Sequence, residues 1–398
     1  MIKSVFKSIL AKPYRLLIRI QNKLSKSIRN TAFKIFRKLP VKNNKIFVSS
    51  FLEKQYTDSP RAITEELLGR NVNNIKTVWV TEHKIPEIPS KIKQVKSRSL
   101  SAMYHQLTSH IWIDSHLKPF GTYKRDEQVY IQTFHGCIAL KKVDADAADK
   151  FPKSHIERTR YNGRIIDYYI SNSKTCDNMY RSGLLYDGKI LNFGCPKNDI
   201  FFKDNTQLIS SIKSKYNIPD DAKIALYAPT FRNGENLKPY AVDYQRLKNA
   251  LGSKFKGEWY VGVRLHPIVN KLQSKLDLPD WVINFTDYQC MQELLTAADV
   301  LITDYSSCMF EFSLQRKPVF LYASDYKDYL SERGLYFDYF KLPFLIGLDN
   351  DGLIDAVNGF DNDKYTSDLN GFFNSIGLCD DGNASKRVVD FILNDIIK

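Results

Sequence analysis

A chain of 398 residues, 43% of them hydrophobic, is too long for one ordinary domain and suits two α/β domains with separate cores; its composition excludes an intrinsically disordered chain. The formal charge of +14 invites a nucleic-acid reading, but residues 1–45 carry thirteen Lys or Arg and no Asp or Glu, leaving the remainder at +1. A near-neutral body with one basic arm lacks the spread of basic residues that nucleic acid requires, so no nucleic-acid partner is expected.

In that arm Leu17, Ile20, Leu24 and Ile28 recur every three or four residues, with Arg15, Arg19, Lys23 and Lys26 between them. This is the pattern of a basic amphipathic helix, which Pro13 starts or kinks. Apolar runs such as Leu16 to Ile18 fall far short of the roughly 20 residues that span a bilayer. Residues 1–44 are therefore expected to lie along an anionic membrane surface, where each basic residue contributes about 1 kcal/mol. The competing readings are a helix packed on the body and an organellar presequence.

Beyond the arm, strands are predicted at Lys45 to Ser49, Lys76 to Val80, Ile111 to Asp114, Val129 to Thr133 and Ile166 to Ser171, with helices at Pro60 to Leu68 and near Ala102 to Leu107. A second series follows at Ile224 to Ala228, Trp259 to Val263, Val282 to Phe285, Val300 to Thr303 and Val319 to Tyr322. Strand and helix in alternation predict parallel sheets with helices on their faces. Residues 45–200 and 201–398 are the expected domains, joined without a low-complexity linker. No GxGxxG or P-loop sequence is present. Six cysteines without CxxC spacing fit reduced, intracellular thiols.

Four polar clusters directly follow predicted strands: Phe134-His135-Gly136, Pro229-Thr230-Phe231-Arg232, Arg264-Leu265-His266-Pro267 and Thr303-Asp304-Tyr305-Ser306-Ser307. Loops at the carboxyl ends of parallel strands gather ligands, so one cleft can collect all four. Arg232 and Arg264 can grip an anion with forked hydrogen bonds. Ser306 and Ser307 should open a helix through Phe310 to Leu314, whose free N–H groups suit phosphate, although either serine can equally be a plain N-cap.

Gly136 permits close approach of a ligand to the backbone, and a neutral His135 could take a proton from an attacking hydroxyl. His266, held extended by Pro267, suits a phosphate or a leaving group. The other histidines, His83, His105, His110, His116 and His155, are read as structural or surface residues. Asp144, Asp146 and Asp149, broken by alanines and flanked by lysines, are read as a solvated turn rather than a Mg²⁺ site.

Taken together, Gln132-Thr133-Phe134-His135-Gly136 with Leu140-Lys141-Lys142, Gly194-Cys195-Pro196-Lys197-Asn198-Asp199, Pro229-Thr230-Phe231-Arg232, Arg264-Leu265-His266-Pro267 and Leu301-Ile302-Thr303-Asp304-Tyr305-Ser306-Ser307 resemble the CDP-glycerol glycerophosphotransferase family of teichoic-acid primases and polymerases. Phe310-Glu311-Phe312, Lys317-Pro318 and Arg333-Gly334 extend the resemblance over roughly residues 45 to 345. It implies two facing Rossmann-like domains of glycosyltransferase-B type at the cytoplasmic face of a bacterial membrane. It further implies a CDP-glycerol or CDP-ribitol donor held by Thr230, Arg232, Arg264, Ser306, Ser307 and Glu311, with His135, Gly136 and Lys141 opposite.

The reaction implied is attack of a hydroxyl of a lipid-linked wall or capsule polymer on the phosphorus that bears glycerol. His135 is the base, His266 and the arginines neutralise phosphate, CMP leaves, and no metal or cofactor is required. The chain departs from the commoner family form at Phe134, at Cys137-Ile138-Ala139, at Lys197 and at Asn233. Because Cys137-Ile138-Ala139 carries one additional residue, Lys141 and Lys142 both stand as candidates for one position. A nucleotide-sugar glycosyltransferase of the same architecture, or a non-catalytic interaction protein, are the readings that compete.

Overall fold

The computed structural model describes residues 26–72, 74–230, 232, 240–265, 278–332 and 334–397. Within them, short β-branched and aromatic runs form two sheets whose strands all pair in parallel. The first holds β1 (Lys42–Ser49), β2 (Lys76–Thr81), β3 (Lys93–Lys96), β4 (Ser109–Asp114), β5 (Val129–Gln132), β6 (Tyr168–Ile170) and β7 (Lys189–Leu191), in the order β3-β2-β1-β4-β5-β6-β7. The second holds β8 (Lys223–Tyr227), β9 (Trp259–Val263), β10 (Ile283–Asn284), β11 (Val300–Thr303), β12 (Val319–Tyr322) and β13 (Leu345–Gly347), in the order β10-β9-β8-β11-β12-β13.

Helices cover both faces of a parallel sheet, so its central strands read as unbroken apolar runs. Val300–Thr303 and Val319–Tyr322 are buried at every residue, and Leu301 sits between Leu226 and Val319 in the register. Strand order reverses between β1 and β4 and again between β8 and β11. In such sheets the crevice for a ligand opens at the carboxyl ends of the strands flanking that reversal.

One face of the first sheet buries Ile46, Val48, Trp79, Ile111 and Ile113 against Ile63 and Leu67 of the helix Asp58–Gly69. Val388 and Val389 of the helix Ala384–Phe391 join the same cluster, and Arg70 reaches Asp390 at 2.8 Å. The end of the chain thus packs on the first sheet, whereas the sequence reading assigned all of 201–398 to the second. The return is pinned beside Gly194, whose φ of +89° and 3.1 Å approach of a virtual Cβ to Ala384 and Asp380 leave no room for a side chain. Asp380 accepts hydrogen bonds from Cys195 N (2.5 Å), Asn172 Nδ2 (2.8 Å) and Asn198 Nδ2 (3.0 Å). Asp199 accepts from the first free N–H groups of the returning helix, Ala384 N at 2.9 Å and Ser385 N at 2.7 Å.

Cys137 and Cys195 form a disulfide, Cα to Cα 6.2 Å, which corrects the expectation of six reduced thiols. The two lie 58 residues apart, too far for a spacing rule, but follow β5 and β7, which flank β6. Cys176, Cys290, Cys308 and Cys379 are free.

Of the N-terminal arm, Leu17, Ile20, Leu24 and their basic neighbours lie outside the described residues. Residues 26–36 are helical. Phe33 and Phe36 pack edge-on against Tyr123 and Tyr104, both at 5.5 Å, while Ile28 and Ile35, two turns apart on one face, remain 52% and 54% exposed. Among the described residues no helix is long and apolar enough to cross a membrane.

Candidate active site

The loops that follow β1, β5, β8, β9 and β11 converge on a cavity of about 230 Å³ lined by residues of both sheets. His135 and Lys197 come from the first side; Thr230, Arg264, Ser306, Ser307 and Glu311 come from the second. Phe134 brings the chain into the cavity at φ +54°, a left-handed conformation that costs a non-glycine residue on the order of 1 kcal/mol or more. Its amide is held there by Gln132 Oε1 at 2.9 Å.

The His135 ring stacks on His116 at 4.6 Å and 8° and is further held by a hydrogen bond with the Ser115 backbone. Burial, then the charge of Lys197, draw its pKa down to about 4. His135 is exposed as a residue and lines the cleft. His116, more enclosed, falls to about 3 through burial and the neighbouring His135. Two neutral imidazoles therefore face each other at neutral pH, and the sequence offered no signal that His116, read as structural, would be one of them.

Beneath His135 lies a buried ionic cluster. Lys197 Nζ donates to the His135 carbonyl at 2.8 Å and sits 3.0 Å from Glu311 Oε1 and 3.7 Å from Asp58 Oδ1. Burial would lower the Lys197 pKa, but Glu311 and Asp58 overrule it and hold the ammonium charged. Burial raises the Asp58 carboxyl against the opposing pull of Lys197. Glu311 is completed by Gln292 Nε2 at 2.9 Å, so the lysine and an amide fix its carboxylate at the cavity wall. Asp58, also at positive φ (+66°), was missed in the sequence because Thr57-Asp58-Ser59 reads as an ordinary helix start.

Arg264 is the cation of the cleft that lacks a counter-charge. Its guanidinium touches the carbonyls of Tyr288 and Gln289 and the sulfur of Met291, all at 3.2–3.3 Å, and no carboxylate among the described residues pairs with it. Burial lowers its pKa, because no carboxylate among the described residues offsets the desolvation. Ser307 precedes the short helix Cys308–Ser313 without a capping hydrogen bond, and Ser306 Oγ accepts from Cys308 N at 3.4 Å.

Arg232 differs from expectation. It is 6% exposed, forks onto Asp325 (2.5 and 3.1 Å), meets Asp304 at 2.7 Å, and lies over the rings of Tyr305 and Tyr329. Held by two carboxylates and, through Nη1, by the Thr230 carbonyl at 2.9 Å, it shapes the loop and is not part of the cavity lining. Asp304, 1% exposed, also ties Thr230 N at 2.9 Å and Tyr305 N at 2.5 Å, which fixes the loops after β8 and β11 together.

Lys141 lies outside the cavity lining, with its ammonium 4.9 Å from the Tyr329 ring and its backbone bridged to Leu335. Lys142 N bonds Gly334 O at 2.9 Å. A Cβ on Gly136 would meet only the Phe134 ring, at 3.7 Å, so no protein contact demands glycine there. His266, Phe231, Asn233, Pro267 and Arg333 lie outside the described residues. Of the acidic turn, Asp149 is exposed as expected, whereas Asp144 bonds His155 at 2.9 Å and Thr159, and Asp146 accepts from Ser182 and from Tyr336.

A neutral imidazole and an unpaired guanidinium across one cleft, with serines at a helix start, define a group-transfer enzyme built around an anionic substrate. The chain belongs to the CDP-glycerol:poly(glycerophosphate) glycerophosphotransferase family, whose profile matches residues 31–394. It is 29% identical over 392 residues to a teichoic acid glycerol-phosphate transferase of Staphylococcus aureus, covering 94% of this chain and 99% of that one. It is 30% identical over 392 residues to a teichoic acid poly(ribitol-phosphate) polymerase of Bacillus spizizenii, covering 94% of this chain and 60% of the relative. A solved structure of the wall teichoic acid polymerase TagF, soaked with CDPG, superposes with a TM-score of 0.81 at 27% identity over 96% of this chain and 97% of the other.

Proposed function

We propose that the enzyme uses two Rossmann-like lobes in a glycosyltransferase-B arrangement to move glycerol phosphate from CDP-glycerol to a hydroxyl of a lipid-linked wall or capsule polymer. The observation that carries this reading is the meeting of His135 from one sheet with Arg264, Ser306 and Ser307 from the other in a single cavity. Arg264 and the N–H groups beside the serines take the diphosphate, with Thr230 held beside them by Asp304.

The acceptor hydroxyl approaches from the His135 side. Its proton passes to the free ring nitrogen of His135 as its oxygen bonds to the phosphorus bearing glycerol. The bond from that phosphorus to the bridging oxygen breaks, and CMP departs with the electron pair. Arg264 neutralises the charge gathering on the leaving phosphate, aided in our reading by His266. Arg232 and Lys141 act through the loops they hold.

Membrane attachment at the cytoplasmic face follows from the basic arm and from Ile28 and Ile35, which remain uncovered. CDP-ribitol is the competing donor, favoured by the ribitol-phosphate relative.

The deciding experiment offers the protein CDP-glycerol, CDP-ribitol and UDP-sugars with a lipid-linked acceptor and follows nucleotide release. CMP from CDP-glycerol, lost in His135→Ala with donor binding retained, is the expected result. Release of a nucleoside diphosphate from a UDP-sugar instead would overturn the reading.

A further inference from the structure

A second cavity, of about 850 Å³, opens on the first lobe between the helix at 26–36 and the loops after β1, β4 and the strand-linking segment around Phe120. One wall separates it from the donor cleft. His116 lines the large cavity and stacks on His135, which lines the cleft; Phe51 lines the cleft and packs edge-on against His116 at 5.7 Å. The two spaces meet at the proposed base.

Its lining joins buried apolar side chains (Phe47, Val80, Leu107) to Arg158 and His116, while Arg98, Leu52, Phe120 and Tyr123 stand exposed at the mouth. Arg158, on the helix Lys153–Ile165, has its Nε buried without a hydrogen-bond partner, and no carboxylate among the described residues pairs with its guanidinium. Its charge is felt by His116, which places it beside the wall. Arg29 and Arg98 add charge, the former donating to the carbonyl of the latter. Of the three acidic groups that line the cavity, Asp114 is neutralised by Lys118 at 2.6 Å, Glu53 accepts from Ser97, and Glu82 is half-buried. At the mouth Phe120 and Tyr123 are 66% and 44% exposed, and Tyr123 touches Phe33 of the helix that presents Ile28 and Ile35 outward.

Arg158, without a carboxylate partner among the described residues, together with Arg98 and exposed aromatic side chains at the mouth, fits an amphiphile with a phosphate head, and the contact of His116 with His135 sets that head beside the proposed base. We propose that this cavity is the acceptor site, holding the phosphate-bearing head of the lipid-linked acceptor between Arg158 and Arg98 with its chain leaving over Phe120 and Tyr123. The inference rests on the reading of the enzyme as one that extends a lipid-linked acceptor, and it assigns Arg158 as a binding residue for that substrate.

The test uses the full chain, as wild type and as Arg158→Gln, Arg158→Lys and Phe120→Ala. Binding of dodecyl phosphate below its micelle concentration is measured by calorimetry, with inorganic phosphate and dodecanol as controls. Separately, KM for the lipid acceptor and for CDP-glycerol is read from CMP release. Dodecyl phosphate should bind wild type at least tenfold more tightly than either control. Arg158→Gln should lose at least tenfold of that affinity and raise the acceptor KM at least tenfold more than the donor KM, with Arg158→Lys recovering most of both. Phe120→Ala, on an exposed side chain that cannot unfold the core, should weaken dodecyl phosphate alone.

Equal affinity in Arg158→Gln and wild type would overturn the assignment, as would no dodecyl phosphate binding. Loss of binding to phosphatidylglycerol vesicles in Arg158→Gln with an unchanged acceptor KM would also overturn it, because the cavity would then hold a bilayer headgroup. Wild type that binds dodecyl phosphate through Arg158 but releases no CMP would sink the donor reading and leave the phosphate site standing.

Discussion

Replacing Lys197 with methionine removes one positive charge from beneath His135 and leaves the side-chain volume nearly unchanged. Lys197, Glu311 and Asp58 are 9%, 3% and 9% exposed, so the variant leaves two largely buried carboxylates at the cavity wall without their counter-charge. Removing one partner of a buried pair costs about 3–5 kcal/mol. For a lobe of this size that corresponds to a fall in Tm of about 10 °C.

The pH dependence separates electrostatics from packing. Burial already raises the Asp58 carboxyl above its unfolded value near 4, and without the ammonium nothing opposes that rise, so the folded variant binds protons more readily than the unfolded chain. Stability is then lost as pH rises through that window and regained as pH falls. Thermal unfolding followed by circular dichroism should show a larger deficit at pH 8 than at pH 5, and adding Glu311→Gln should recover part of it. A Tm within about 2 °C of wild type at pH 8, or an equal deficit at both pH values, would refute the reasoning.

Because the His135 pKa is lowered toward 4, its neutral form persists below the ordinary imidazole range, and the acid limb of kcat/KM should fall below pH 6.5; a limb at 6.5 or above would show an unperturbed base. Arg264→Gln, which breaks no ion pair, should raise KM for CDP-glycerol at least tenfold while shifting Tm by only a few degrees, and an unchanged KM would remove Arg264 from the donor site. Thiol counting in denaturant without reductant should find four reactive cysteines and, after reduction, six; six without reductant would deny the Cys137–Cys195 bond. Ile392→Ala, at the buried end of the returning helix, should cost about 2–5 kcal/mol in chemical unfolding, and a loss under 1 kcal/mol would place that residue outside the core.

Central strands were legible because parallel sheets bury both faces, so Val300 to Thr303 and Val319 to Tyr322 stand out as apolar runs. Of the edge strands only Val282 to Phe285 was: Lys93–Lys96 holds a single apolar residue, while Lys189–Leu191 and Leu345–Gly347 are three residues long. The loops that carry chemistry were recognisable from polar clusters placed after strands. What each side chain faces was not, since Arg232 and Arg264 sit in like loops and only the carboxylates of Asp304 and Asp325, 72 and 93 residues away, turn one of them inward. His116 escaped notice for the same reason, as its stacking partner lies on a different strand's loop.

The returning helix means that the backbone passes between the lobes twice, near Pro196–Phe202 and again near Asp380, and that the two passages are laced to each other by Asp380 and Asp199. A single tether permits one lobe to swivel, twist or drift relative to the other. Two tethers side by side behave as a door hinge, free to swing about the line joining them and stiff against twist.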